Sequence, residues 1–311
     1  MKRKMLNVPK GGYDGMKGFT IVEFLVAGLL SIIVLIAVVS SYFTSRKLND
    51  AANERLAIQQ DLRNAATLIV RDARMAGSFG CFNMSEHTEK DVVFDVAQKN
   101  RPFSLKGSSA NKLIPIAESL NIGYQGFAQV RPALIFQYGI DDVNASAETT
   151  VVSSCGVISK PGKQIPTLED AKKELEIQNS GKEQNGNIAR QRHVVNAYAV
   201  GRIAGEEGLF RFQLDDKGKW GNPQLLVKKV KRMDVRYIYV SGCPEDAGKE
   251  EQFKYTDKFD KSRDAVTPAG VEVLLDSGLD AKIAASSDNS IYAYRINATI
   301  RGGNVCANRT L

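Results

Sequence analysis

The chain has 311 residues, with 42 Lys and Arg against 35 Asp and Glu, a formal charge of +7 and four cysteines. Much of that charge is at the start, where Lys2, Arg3, Lys4, Lys10 and Lys17 face one acid, Asp14, a local balance of +4 that leaves about +3 for the rest. The basic balance is therefore no argument for a nucleic-acid partner, and none is expected. The length beyond the first helix suffices for one large domain or two small ones.

From Phe24 to Ser45 no residue is charged, and the run is rich in Leu, Ile and Val. At about 1.5 Å per residue it crosses a hydrocarbon core of roughly 30 Å. Basic residues stay on the cytoplasmic side, which directs everything after Phe43 to the far side. A secretory signal would carry a small-residue cleavage site after the apolar stretch. Here the chain passes through Tyr42 and Phe43 directly into "TSRKLNDAANERL", so the segment is expected to be retained. Glu23 is the anomaly, because a carboxylate at mid-bilayer costs roughly 2.5–3.5 kcal/mol on insertion scales. One account places it at the membrane edge, favoured by the helix N-terminus.

The stretch "KGFTIVEFLVAGLL" (Lys17 to Leu30) resembles the class III signal of type IV prepilins. The resemblance implies cleavage between Gly18 and Phe19 on the cytoplasmic side by a prepilin peptidase, and N-methylation of Phe19. It also implies that Glu23, then the fifth residue, neutralises the α-amino group of a neighbouring subunit during assembly. Residues 1–18 would be the leader. A helix would follow over residues 19–76, with about 19–43 in the membrane, and residues 77–311 would form an exported head.

After the membrane run, Leu48, Ala51, Ile58, Leu62, Ala65, Ile69, Ala73 and Ala76 recur at helical spacing, with Arg55 the one breach. No Pro falls between Gly11 and Arg101, so no Pro kink is expected. The glycines of "AGSFGC" mark the stop near Ala76. The remainder reads as short strands. "ALIFQYGI" (Ala133 to Ile140) is one; "HVVNAYAVGRI" and "GLFRFQL" form a pair across "AGEEG". "DDKGKWGNP" is a turn leading into "QLLVKKV" and then "DVRYIYV". In "SIYAYRINATIR", Tyr292, Tyr294, Ile296, Ala298 and Ile300 share one face. Thr167 to Asn187 starts as a capped helix and fades into a loop, and Pro244 to Asp264 is a charged, solvated excursion. The fold class is α+β: one long N-terminal helix packed on a β-rich head.

Four cysteines, Cys81, Cys155, Cys243 and Cys306, lie on the exported side, and an even count in an oxidising compartment reads as two disulfides. With no C-x-x-C and only His87 and His193, a metal site is not expected. No nucleophile elbow, H-E-x-x-H or phosphate loop is present, so neither a cofactor nor an enzymatic activity is expected. His193 reads as a partly exposed structural residue at a strand start, and Trp220 as hairpin packing.

"RDARMAGSFGCF" (Arg71 to Phe82) resembles the end-of-helix signature of PilW-type minor pilins, called PilJ in some species. "LVKKVKRMDVRYIYV" and the strand pair resemble that family's head-domain blocks. The likeness runs through essentially the whole chain and is loosest between Lys160 and Gln191. In that family a cysteine placed like Cys81 staples helix to head. Three pairings are open; Cys81 with Cys155 and Cys243 with Cys306 is favoured, since it keeps each loop within its own half. The resemblance implies a minor pilin in an initiation complex of the inner membrane, later near the tip of a surface pilus. Its partners would be other minor pilins, the major pilin, the prepilin peptidase, the assembly platform and, before assembly, lipid. A J-type pseudopilin of type II secretion is the alternative reading, and an adhesive or DNA-binding tip subunit a further one.

Overall fold

The computed structural model describes residues 18–93, 113–175, 188–242, 252–259, 266–276 and 294–300. One α-helix, α1 (Ile21–Met75), opens the described chain and continues unbroken across Ser40 and Ser41. The chain divides into two compact units, Met1–Ala57 and Ile58–Leu311, so the last third of α1 belongs with the β-rich head.

In the first unit every described side chain is exposed, including Phe24, Leu25, Ile32, Leu35 and Val38. Hydroxyls within this helix bond back to their own backbone: Ser31 Oγ donates to the Ala27 carbonyl at 2.7 Å and Thr44 Oγ1 to Ser40 at 2.9 Å. That is what a polar group on an apolar helix requires when no water is at hand. The helix is long and apolar enough to cross a membrane.

In the second unit, helix burial begins at Ile58 and continues through Leu62, Ala65, Ile69, Asp72 and Ala73. The expected stripe thus holds from Ile58 onward, whereas Leu48 and Ala51 are exposed. The stripe also contains an acid that the apolar pattern passes over, Asp72. α1 ends at Met75 because Gly77 (φ +78°) and Gly80 (φ +65°) take left-handed conformations, which cost glycine little. Neither has room for a side chain: a Cβ on Gly77 would lie 2.9 Å from Pro115 Cβ, and one on Gly80 2.7 Å from Ala189 Cβ.

The strands follow in order: β1 (Ser78–Phe79), β2 (Phe82–Asn83), β3 (Val92–Val93), β4 (Ile116–Ser119), β5 (Phe127–Gln129), β6 (Ala133–Ile140), β7 (Thr150–Ser153) and β8 (Ile158–Ser159). A short helix, α2 (Leu168–Glu174), is capped by Thr167, whose side chain accepts from the Asp170 N–H. Then come β9 (Ala189–Ile203), β10 (Glu206–Leu214), β11 (Trp220–Lys228), β12 (Arg232–Gly242), β13 (Gln252–Thr256), β14 (Gly270–Asp276) and β15 (Tyr294–Thr299). One sheet runs β11-β10-β9-β7-β8-β3, with β5 and β6 also on β9 and β4 on β6. The fifteen-residue β9 is its spine: β10 and β7 lie along one edge, while β5 and β6 share the other, and Arg192 is paired on both sides, with Thr150 and Ile140. The second sheet is antiparallel, in the order β13-β12-β14-β15.

A core of Ile58, Leu62, Ala65, Ile69, Ala73 and Ala76 packs with Phe136, Tyr198 and Leu209 of the first sheet and Tyr237, Val271, Val273 and Ile296 of the second. The head end of α1 therefore closes over both sheets. Tyr237 adds a polar tie between them, its hydroxyl donating to Glu118 Oε1 at 2.7 Å.

Several expectations are corrected. The β9–β10 connection is not five residues but Ala204 and Gly205, both at positive φ (49° and 87°), the geometry of the two-residue hairpin turn that matches strand twist. The loop before β11 ends at Lys219, and Trp220 to Pro223 belong to the strand. Pro223 is tolerated because β11 is an edge strand, with Asn222 at φ 49° inside a register shift. The charged excursion after Pro244 contains β13, an exposed edge strand carrying Phe253 and Tyr255 at the surface. His193 is not at a strand start but well inside β9, and buried. The alternating face of β15 is as expected, with Ile296 and Ala298 buried and Arg295 and Asn297 exposed; Tyr292 lies outside the described residues.

Candidate functional site

Gly18, Phe19 and Thr20 precede α1 in non-helical backbone, and Phe19 is 86% exposed. Glu23 sits in the first turn. Its Oε2 accepts from the Thr20 backbone N–H and from Thr20 Oγ1, each at 3.0 Å, while Thr20 Oγ1 accepts from the Glu23 N–H at 3.3 Å. This is a reciprocal capping box, which satisfies two of the N–H groups that a helix start leaves without partners. The Thr–x–x–Glu spacing thus gives Glu23 a local role that is independent of any partner. Both donors use Oε2.

Cys81 and Cys155 form a disulfide, with Cα atoms 4.7 Å apart. It joins the segment leaving α1 to the loop between β7 and β8. Close by, Ser153 Oγ donates to the Phe79 carbonyl at 2.7 Å. Cys243 and Cys306 lie outside the described residues.

The feature that sequence reading missed is Asp72. Its side chain is fully buried. Oδ1 accepts from the Tyr138 hydroxyl at 2.9 Å and from Arg71 at 3.1 Å; Oδ2 accepts from the Tyr198 hydroxyl at 2.6 Å, Asn196 Nδ2 at 2.9 Å and Arg211 at 3.4 Å. Strand register explains the convergence. Asn196 and Tyr198 are two apart on β9 and so share a face, Tyr198 stands opposite Arg211 on β10, and Phe136 opposite Asn196 sets Tyr138 on the same side. Burial, and then the Asp72 charge, push the Tyr138 phenol up to about 12 and the Tyr198 phenol higher still. Both phenols therefore stay protonated and donate. With its lone pairs filled and no exposure to solvent, Asp72 is a positioning hub that holds the helix end to the sheet. The hint in the sequence was small: Asp72 falls three residues after Ile69, on the stripe itself.

The two histidines are also held structurally. Gln137 Nε2 donates to the Ile114 carbonyl at 3.1 Å, so its Oε1 is the acceptor for His193 Nε2, also at 3.1 Å. His87 stacks on Phe82 with ring centroids 4.2 Å apart, and its Nδ1 lies 3.5 Å from Asp91. Trp220 is half-buried and packs with Leu214 and Leu225 on the β9–β10 cluster. Comparison of the chain with protein-family models, with curated proteins and with solved structures finds no match.

Proposed function

We propose that this chain is a membrane-anchored minor pilin of the PilW type, taking part in an initiation complex that primes type IV pilus assembly and stays near the fibre tip. The observation that carries the reading is the helix start. An exposed, non-helical Gly18–Phe19 junction stands immediately ahead of a capped helix whose apolar run is uncovered. A large exposed apolar surface calls for lipid or a protein partner, and in this reading it has each in turn. Before assembly the run is the anchor in the inner membrane; afterwards it joins a helical core. Cleavage after Gly18 makes Phe19 the terminal amine and keeps Thr20, so the capping box survives processing. Glu23 Oε1, which the capping bonds leave aside, meets the cationic terminus of a neighbour. Nucleating a helical polymer is costly because first subunits lack neighbours, and a pre-assembled set of unlike subunits supplies those contacts.

The test has two parts. Co-expression with a prepilin peptidase should yield a chain beginning at N-methylated Phe19, and replacing Gly18 with a bulkier residue should leave Met1 in place. Glu23→Ala should preserve insertion and cleavage yet give few fibres by electron microscopy, with partial recovery when the retraction motor is disabled. An intact Met1 terminus in a peptidase-positive strain, or normal piliation of Glu23→Ala cells with the motor on, overturns the reading.

A further inference from the structure

Arg63, Arg71 and Arg74 lie on one face of the head end of α1, and all three are exposed. With Ala66, Val70 and Tyr294 they line a groove of about 610 Å³, wholly within the unit that begins at Ile58. Ala66, Val70 and Tyr294 pack on the core beneath and make an apolar floor. The rim is cationic: Arg63 at one end, Arg74 at the other, and Arg71 between them, one turn short of Arg74. No carboxylate lines the groove among the described residues, and none falls three or four residues along the helix from any of these arginines, where an acid would pair with them. Arg71 donates to Asp72 Oδ1, an acid whose other acceptor positions are taken by Tyr138, Asn196, Tyr198 and Arg211. Arg63 and Arg74 make no side-chain hydrogen bond or ion pair among the described residues. The helix dipole favours a cation in the last turn, which accounts for Arg74; that influence does not reach Arg63, three turns earlier.

We infer that this groove receives an extended acidic segment of another protein, about six residues long, with carboxylates at its ends and apolar side chains between them. The charge and the spacing both point to that occupant. Eleven residues of helix set Arg63 and Arg74 about 16 Å apart along the axis, and five steps of extended chain span about the same distance. A single phosphate is too short to meet both ends. A phospholipid carries its charge at one end and its tail at the other, whereas here the cations bracket the apolar floor. Arg71 donates to Asp72 Oδ1 through Nε at 3.2 Å and Nη2 at 3.1 Å. Its guanidinium is thereby fixed before a ligand arrives and gives up little rotamer freedom on binding. With two cations within a turn, the Arg74 end takes the more acidic end of the segment. The inference deepens the assembly reading, in which unlike subunits meet, and rests on it for the source of the segment; the chemistry of the groove belongs to the head alone.

The experiment follows the fluorescence anisotropy of a labelled peptide, Glu-Leu-Ala-Leu-Glu-Glu, titrated with the purified full chain in a non-ionic detergent. Two control peptides carry Lys or Gln in place of every Glu. The acidic peptide should bind saturably and weaken as salt is added, while both controls bind about tenfold less well. Arg63→Glu and Arg74→Glu should each weaken the acidic peptide about fivefold by setting like charges opposed. The double variant Arg63→Glu, Arg74→Glu should prefer the lysine peptide, an inversion that a merely destabilised head does not produce. Formation of the Cys81–Cys155 disulfide in every variant verifies folding. Inorganic phosphate and short-chain phosphatidylglycerol, at matched charge, should displace the acidic peptide no better than chloride. Displacement by either one as effective as that by unlabelled peptide gives the groove to a phosphate or a lipid and overturns the proposal. Equal affinity for the acidic and glutamine peptides, or a double variant that binds the acidic peptide as the parent does, overturns it too. N-terminal sequencing of the same protein separates the two ideas: binding by a chain never processed at Phe19 in a peptidase-positive strain leaves the groove standing and removes the pilin reading, and a processed chain that does not bind does the reverse.

Discussion

Replacing Asp72 with Ala should be among the most damaging single changes in the head. The substitution removes an acceptor from Tyr138, Asn196 and Tyr198, all of them nearly or fully buried. Each donor left without a partner costs about 1–3 kcal/mol, and breaking a buried charged cluster from one side costs about 3–5 kcal/mol as a whole. The two figures describe overlapping losses and should not be added. Arg71, whose side chain is 54% exposed, recovers water and contributes little; Arg211, at 17%, does so only in part. The expectation is therefore about 3–5 kcal/mol. For a unit of this size that lowers the melting temperature by roughly 10 °C. The assay is denaturant unfolding of the full chain in detergent, followed by fluorescence of Trp220, the single tryptophan. Asp72→Asn should lose less, because one amide oxygen still accepts and a phenol can turn to accept from the new N–H. A loss below about 1 kcal/mol for Asp72→Ala would refute the assignment of Asp72 as the hub.

The same cluster sets an alkaline limit. The Tyr138 phenol is pushed up to about 12 from an ordinary value of 10.0, so the unfolded chain loses this proton at lower pH than the folded one. Its contribution, about 2–3 kcal/mol, is complete below pH 10 and is lost between pH 10 and about 12; Tyr138→Phe should make the fall in that interval shallower by this amount, while the Tyr198 and Tyr237 phenols, also raised, keep it falling. The Cys81–Cys155 bond closes a separation of 74 residues, for which a chain-entropy model gives about 4 kcal/mol. Replacing both cysteines with Ser should lower the unfolding midpoint accordingly, and a midpoint that does not move under reduction would contradict this.

Much of the candidate site was readable because its signals are local. The sequence reading placed Glu23 at a helix N-terminus, and the structure adds the reciprocal cap with Thr20, three residues away. Gly77 and Gly80 end the helix for reasons contained in their own backbones. The β15 alternation, the β6 strand and the α2 cap were readable on the same ground. The misreadings have local causes too. Glu206 and Glu207 look like loop residues yet are paired in β10, and Pro223 looks like a break yet sits on an edge where no N–H is required. The charged run containing Phe253 and Tyr255 carries a strand because β12 offers it an edge to pair with. A residue's own composition does not report whether such an edge is available.

The sequence by itself determined a long apolar helix with an acid in its first turn and a glycine stop, followed by a β-rich remainder, because helix signals act within a turn or two of the residue that carries them. Only the tertiary structure decided what that helix end is fastened to. Asp72 is one acid among many in the sequence. Its partners Tyr138, Asn196, Tyr198 and Arg211 lie 66, 124, 126 and 139 residues further on. The sheets were decided at the same level: β11 and β12 are neighbours in the chain but belong to different sheets. Strand partners are chosen by register and by which faces can be buried together, and those contacts exist only once distant segments have met.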